Sequence, residues 1–204
     1  MEPLRANSWA EAHLYLMVTP CPGCGKGPWQ AERTPSPEAP QNSPSSVWAT
    51  CRHCSAKREF VFRCPPPPTD AENANVDSPL RWINPTPQPS ALIDVAQWLG
   101  LFHMLVESAG RAANPHEGRR MTFQAAQCLD EALKFYSPED ELPPPSAMFA
   151  DSSRQAFADH PEKFARQRLL DLRSKLPGRG LMARRLQRDH ATPQSGKWWQ
   201  FWRR

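Results

Sequence analysis

Four of the six cysteines fall into two pairs with metal-ligand spacing, Cys21-Pro22-Gly23-Cys24 and Cys51-Arg52-His53-Cys54, with 26 residues between them. Two intervening residues let both thiolates of a pair, together with nearby backbone amides, turn toward one ion; Gly25 supplies the backbone freedom such a turn needs. Two such knuckles complete a tetrahedral set of four sulfurs with no open coordination position, which is a structural arrangement rather than a catalytic one. The expected cofactor is one structural Zn2+ held by Cys21, Cys24, Cys51 and Cys54. Two readings stay open beside it: an iron centre on the same ligands, and thiols that are redox-active or simply buried. A redox CxxC normally has a βαβ context and a single pair, and neither is visible here.

The other chemistry-bearing residues are less informative. Cys128 lies on the apolar stripe of a predicted helix and reads as a buried thiol. Cys64 closes a predicted strand, and His53 reads as an exposed or capping histidine inside the second knuckle. His103, His116 and His160 have no Ser, Cys or carboxylate at a telling distance in sequence, with His103 expected at the border of an apolar stripe. Asp130, Glu131 and the run Glu139 to Glu141 read as solvated charges. No phosphate-cradling glycine loop and no HExxH pair occurs. No catalytic residue is indicated, and the expectation is a protein that is not an enzyme.

The last eight residues, 197–204, read KWWQFWRR. Trp198, Trp199, Phe201 and Trp202 concentrate more apolar surface than a free terminus normally carries, so this tail is expected to dock on something. It can fold back on its own chain, insert into a protein partner, or make weak interfacial contact with a membrane through its Trp and flanking Lys197, Arg203 and Arg204.

These groups need elements to hold them. His13 to Thr19 alternates Leu14, Leu16 and Val18 with Tyr15 and Met17, which predicts a strand leading into the first knuckle. Further strands are expected at Trp29 to Glu32, Val47 to Thr50 and Glu59 to Arg63, with a Pro- and Ser-rich loop from Thr34 to Ser46. Pro65 to Pro68 stops the sheet, and the prolines from there to Pro89 bias the linker toward extended backbone, with Trp82 and Ile83 as apolar anchors. Asp94 with Gln97 three residues on forms a capping box before the stripe Val95, Trp98, Leu99, Phe102, Leu105 and Val106. A second helix is expected from about Glu117, carrying Met121, Ala125, Cys128, Leu129 and Ala132 on one face and stopped by Pro138. A short helix around Ser152 to Asp159 and a stronger one from Pro161, with Phe164, Leu169, Leu172 and Leu176, complete the set. Leu181 to Arg188 is basic and amphipathic, and Thr192 to Gly196 is a polar spacer.

The fold expected is therefore α+β: a small N-terminal antiparallel sheet with its metal (residues 1–64), a Pro-rich linker (65–89), an α-helical domain of three to four helices (90–176), a basic helix and polar spacer (177–196), and the aromatic tail (197–204). With 24 prolines in 204 residues and a mean hydropathy of −0.67, two small folded units fit the chain better than one large core. A unit of that N-terminal size is where a metal staple contributes most.

The formal charge of +4 is unevenly spread. Residues 1–64 carry +2, 65–150 carry −6 and 151–204 carry +8, a pattern that fits an interaction tail or a basic segment packed beside an acidic one. Met1 to Val18 lacks the basic start and long apolar run of a secretory leader, and no segment approaches the length of a transmembrane span, so a cytoplasmic setting is expected.

The segment Cys21-Pro22-Gly23-Cys24-Gly25 with Cys51-Arg52-His53-Cys54 resembles the zinc ribbon superfamily over residues 12–64, and the later helices resemble uncharacterised bacterial proteins that join such a ribbon to a helical domain. The resemblance implies a metal-stapled antiparallel sheet and no particular activity; ribbons serve nucleic-acid binding and protein docking alike. The function expected is a non-enzymatic adaptor or regulator of a protein partner, including an inhibitor or immunity-type factor. The alternative is nucleic-acid binding, with the +8 region on phosphates and Trp side chains on unpaired bases. Arg52, Lys57, Arg58 and Arg63 are few for a groove.

Overall fold

The computed structural model describes residues 2–32, 43–65 and 83–178. Nine regular elements occur among them: β1 (Leu4–Arg5), α1 (Trp9–Val18), β2 (Trp29–Ala31), β3 (Ser45–Cys51), β4 (Lys57–Arg63), α2 (Val95–Arg111), α3 (Pro115–Leu133), α4 (Asp151–Asp159) and α5 (Arg166–Ser174). The class is α+β. Trp82, most of the 34–46 loop, the 181–188 stretch, the 192–196 spacer and the 197–204 tail lie outside the described residues.

The strands form one sheet in the order β1-β4-β3-β2. β3 pairs antiparallel with both β4 and β2, and β1 adds a two-residue parallel edge with Leu4 opposite Phe62 and Arg5 opposite Arg63. Side chains alternate across such a sheet, so Val47, Ala49 and Cys51 face inward with Trp29, Phe60 and Phe62, all buried. β3 begins at Ser45, inside the stretch read as loop, because Ser45 and Ser46 pair with Phe62 and Val61.

Residues 13–19, expected as a strand, belong instead to helix α1 and its C-cap. Ser8 caps the helix at its start by accepting the Glu11 amide at 3.0 Å. The helix is covered on two sides: Ala12 and Leu16 sit in the sheet's core, while Leu14 and Val18 pack against the helical core and Tyr15 touches both. A helix buried on two faces loses the 3.6-residue stripe that identifies an amphipathic one, and the leftover alternation imitates a strand.

The helical part follows its apolar stripes. Asp94 and Gln97 form the capping box in both directions, at 2.9 and 3.0 Å. Val95, Trp98, Leu99, Phe102 and Leu105 of α2 then meet Ala125, Cys128, Leu129 and Ala132 of α3. Each large side chain so buried contributes about 1.5–3 kcal/mol. Asp94 also reaches across the fold, its second oxygen accepting the amides of Phe149 and Ala150. At the expected helix from Pro161, residues Pro161–Phe164 form a 3-10 turn and the α-helix starts only at Arg166. The Arg166 amide is taken by the Glu141 carbonyl and the Phe164 carbonyl by the Tyr136 hydroxyl, which pulls Ala165 into an extended conformation between them. Phe164 and Leu169 are buried as expected.

Candidate metal centre and a buried polar junction

The two CxxC segments adopt the same local geometry. In the first, the Gly25 amide donates to the Cys21 carbonyl at 2.7 Å and the Cys21 amide to the Lys26 carbonyl at 2.6 Å. In the second, the Ser55 amide donates to the Cys51 carbonyl at 2.9 Å and the Cys51 amide to the Ala56 carbonyl at 2.8 Å. Each turn closes through a residue in the left-handed region, Gly25 at φ +69° and Ser55 at φ +60°. The first knuckle follows α1 and leads into β2; the second is the turn between β3 and β4. Pairing of Trp29 with Cys51 at the β2–β3 edge, and a bond from the Arg52 amide to the Pro28 carbonyl at 3.0 Å, bring them together.

The four sulfurs converge as a result. Cys21 Sγ lies 3.6 Å from Cys54 Sγ and Cys24 Sγ 3.8 Å from Cys51 Sγ, and all four ligand atoms lie within 4.8 Å of one another. Four sulfurs at about 2.3 Å from a tetrahedral zinc would be about 3.8 Å apart, so the cluster has the size of such a site. Cys21 and Cys51 are buried, Cys24 is half-buried and Cys54 is exposed. All four expected ligands are thus brought together, and among the described residues they are the one group of three or more His, Cys, Asp or Glu side chains able to hold a metal.

Electrostatics within the cluster is uneven. The backbone amide of Cys54, aided by that of His53 and opposed by burial, holds the Cys51 thiol down to about 7. A backbone hydrogen bond from Lys26 acts to lower Cys24, but burial and the neighbouring sulfurs outweigh it and push that thiol up to about 12. Four adjacent thiols therefore resist full ionisation, and a divalent cation is the group that would satisfy all of them, releasing their protons as it binds. Cys64 and Cys128 are buried elsewhere, and burial raises the Cys128 thiol well above its ordinary value. His53 is exposed, as expected. His103 on α2 keeps much of its surface in solvent, and the partial desolvation of the rest, then Arg168 and Lys163, lower its pKa.

The structure also assembles polar residues that the sequence reading passed over. Glu131, read as a solvated charge, is only 3% exposed: its Oε1 accepts from Lys134 Nζ at 2.8 Å and its Oε2 from Asn84 Nδ2 at 3.0 Å. Its neighbour Asp130 accepts from Arg173 Nε at 2.6 Å. Glu11 of α1 is fully buried and accepts from Asn7 and from the Ser90 hydroxyl. Ile83, buried as its role of anchor requires, is held by its amide on Gln127 Oε1 at 2.8 Å and by its carbonyl on the Ser8 hydroxyl. No local spacing links Glu11 to Glu131, so only the fold could reveal the junction.

On the outer face of the sheet, Trp48 is 52% exposed, out of phase with inward Val47 and Ala49, and opposite Glu59. Arg5 and Arg63 lie side by side on the same face. A groove of about 410 Å³ between α2 and α3 is lined by small and apolar groups, including Ala109, Gly110, Pro115 and Thr122, with Arg119. Among the described residues no helix is long and apolar enough to cross a membrane. No family model, curated protein or solved structure matches the chain.

Proposed function

We propose that this chain is a zinc-binding adaptor or regulator of a protein partner, without catalytic chemistry of its own, in which residues 1–64 form a zinc ribbon and the 197–204 tail is a docking peptide. The observation that carries the reading is the closure of the cysteine site: four sulfurs with the spacing of a complete tetrahedral set leave no position for a substrate. A metal there holds surfaces in place. The half-exposed Trp48 on the sheet's open face offers one such surface, since tryptophan is among the residue types most enriched at interface hot spots. An inhibitor or immunity-type factor would use the same parts.

The test is affinity capture with the intact zinc-loaded chain, a version lacking residues 197–204, and Trp48→Ala, followed by titration of the purified partner. A defined partner bound by the intact chain and weakened at least tenfold by either change supports the proposal; identical binding by all three forms removes both surfaces from it.

The adjacent Arg5 and Arg63 favour a second reading, nucleic-acid binding, because like charges placed side by side in a sheet destabilise it unless an anion joins them. Glu59 beside Trp48 and the Lys57–Glu32 ion pair at 2.8 Å leave little net positive charge on that face. Titration with single-stranded DNA and RNA at physiological salt is expected to give no submicromolar complex, and a tight, salt-sensitive one would exchange the two readings.

A further inference from the structure

Residues 83–93 run between α1 and α3 and are fastened to both. On the α3 side, Lys134 Nζ donates to the carbonyls of Asn84 and Thr86 at 3.3 and 2.7 Å and to Glu131 at 2.8 Å. On the α1 side, the Ser90 hydroxyl accepts the amides of Leu92 and Ile93 at 3.0 and 2.9 Å and donates to Glu11. We propose that Glu11, Glu131 and Lys134 form a proton-sensitive latch between α1 and α3, closed while the two carboxyls share one proton and loosened when that proton leaves to solvent.

The charge count is decisive. Among the described residues, two carboxyls, 0% and 3% exposed, stand with a single ammonium that is 19% exposed. A lysine ammonium has three donors, and all three are committed to Asn84, Thr86 and Glu131, so Lys134 has none left for Glu11. Residues 83–93 contain no titratable side chain. Of the other groups on the packed elements, His13 is bonded to the Trp9 carbonyl, Asp94 to amides at the far end of the segment, and Asp130 to Arg173. The Cys128 thiol stays neutral because burial raises it. Ionising both carboxyls would therefore leave one uncompensated negative charge out of contact with water, which is strongly unfavourable.

Burial accordingly raises Glu11 above its ordinary 4.5. It raises Glu131 to about 7, with Lys134 opposing and the Glu11 charge adding. A carboxyl raised in the folded state contributes stability below its ordinary pKa that is lost as pH rises through the folded value. The latch is thus tightest on the acid side of neutrality and loosens toward pH 8, freeing α1, the helix shared by the two cores.

Amide hydrogen exchange of the zinc-loaded protein between pH 6 and 8, corrected for the intrinsic chemical rate, tests this. The opening constant of α1 is expected to rise about tenfold across that range, while amides of β3 and β4, held by the cysteine site, stay level. Glu131→Gln should flatten the α1 response, and Glu11→Gln serves the same purpose if the first variant does not fold. Carboxyl NMR on the unaltered protein should show one glutamate titrating near neutrality. If every glutamate titrates in the ordinary range, or α1 opening is flat from pH 6 to 8, the proposal is overturned.

Discussion

The cysteine cluster and the Glu11–Glu131–Lys134 junction are both convergences of ionisable side chains at a seam, and they solve the same electrostatic problem differently. Four thiols are gathered by two five-residue turns that share the same pair of closing hydrogen bonds and call for a cation from outside the chain. The two carboxyls are gathered by helices separated by nearly a hundred residues and receive their cation, Lys134, from within it. One site is local in its making and external in its charge balance; the other is the reverse. Removing the cation should therefore affect different parts of the molecule in the two cases.

Removing the metal is the larger perturbation. Structural zinc contributes on the order of 10 kcal/mol in small peptides, and the sheet's core, with Trp29, Val47, Phe60 and Phe62, is small. Elemental analysis should give one zinc per chain, and chelation or Cys51→Ser should collapse exchange protection in β2 to β4 while α2 and α3, which have their own core, keep theirs. A sheet that stays protected without metal would show that the thiols are incidental to its stability.

Removing the internal cation comes next. Lys134→Met leaves both buried carboxyls without an ammonium and the Asn84 and Thr86 carbonyls without a donor. Breaking a buried pair costs about 3–5 kcal/mol; with Lys134 partly exposed, about 3 kcal/mol is expected in denaturant unfolding. The loss should be greater at pH 8 than at pH 6, because protonation relieves the orphaned carboxyls. Equal losses at both pH values would place the role of Lys134 in its carbonyl contacts alone.

The same contrast explains what could be read before the fold was known. Ligands whose geometry is set by two intervening residues are legible, and so are Asp94 and Gln97, whose capping box spans one turn. The second role of Asp94, holding the Phe149 and Ala150 amides, is set by residues more than fifty positions away. Glu131 looks like any other charge on a helix until the fold buries it and brings Asn84, 47 positions away, to its carboxylate. Helix α1 failed for a related reason: two partners, one on each side, erased its periodicity. The delayed start of α5 also depends on a distant group, the Glu141 carbonyl.

The smallest expected effect separates local conformation from electrostatics inside the cysteine site. Gly25 and Ser55 occupy equivalent places in the two knuckles, at φ +69° and +60°, yet only the first is the residue type that adopts this region freely. A non-glycine residue there costs about 1–2 kcal/mol, partly offset by the greater freedom glycine would bring to the unfolded chain. Ser55→Gly should therefore stabilise the zinc-loaded protein by about 0.5–1 kcal/mol. Gly25→Ser should destabilise it by a similar amount, and for conformational reasons alone, because a Cβ at Gly25 meets nothing within 4 Å. Opposite shifts in the unfolding midpoint, with one zinc retained in each variant, would establish the two turns as equivalent. A loss from Ser55→Gly would mean that its side chain supports the second knuckle in a way the first does without.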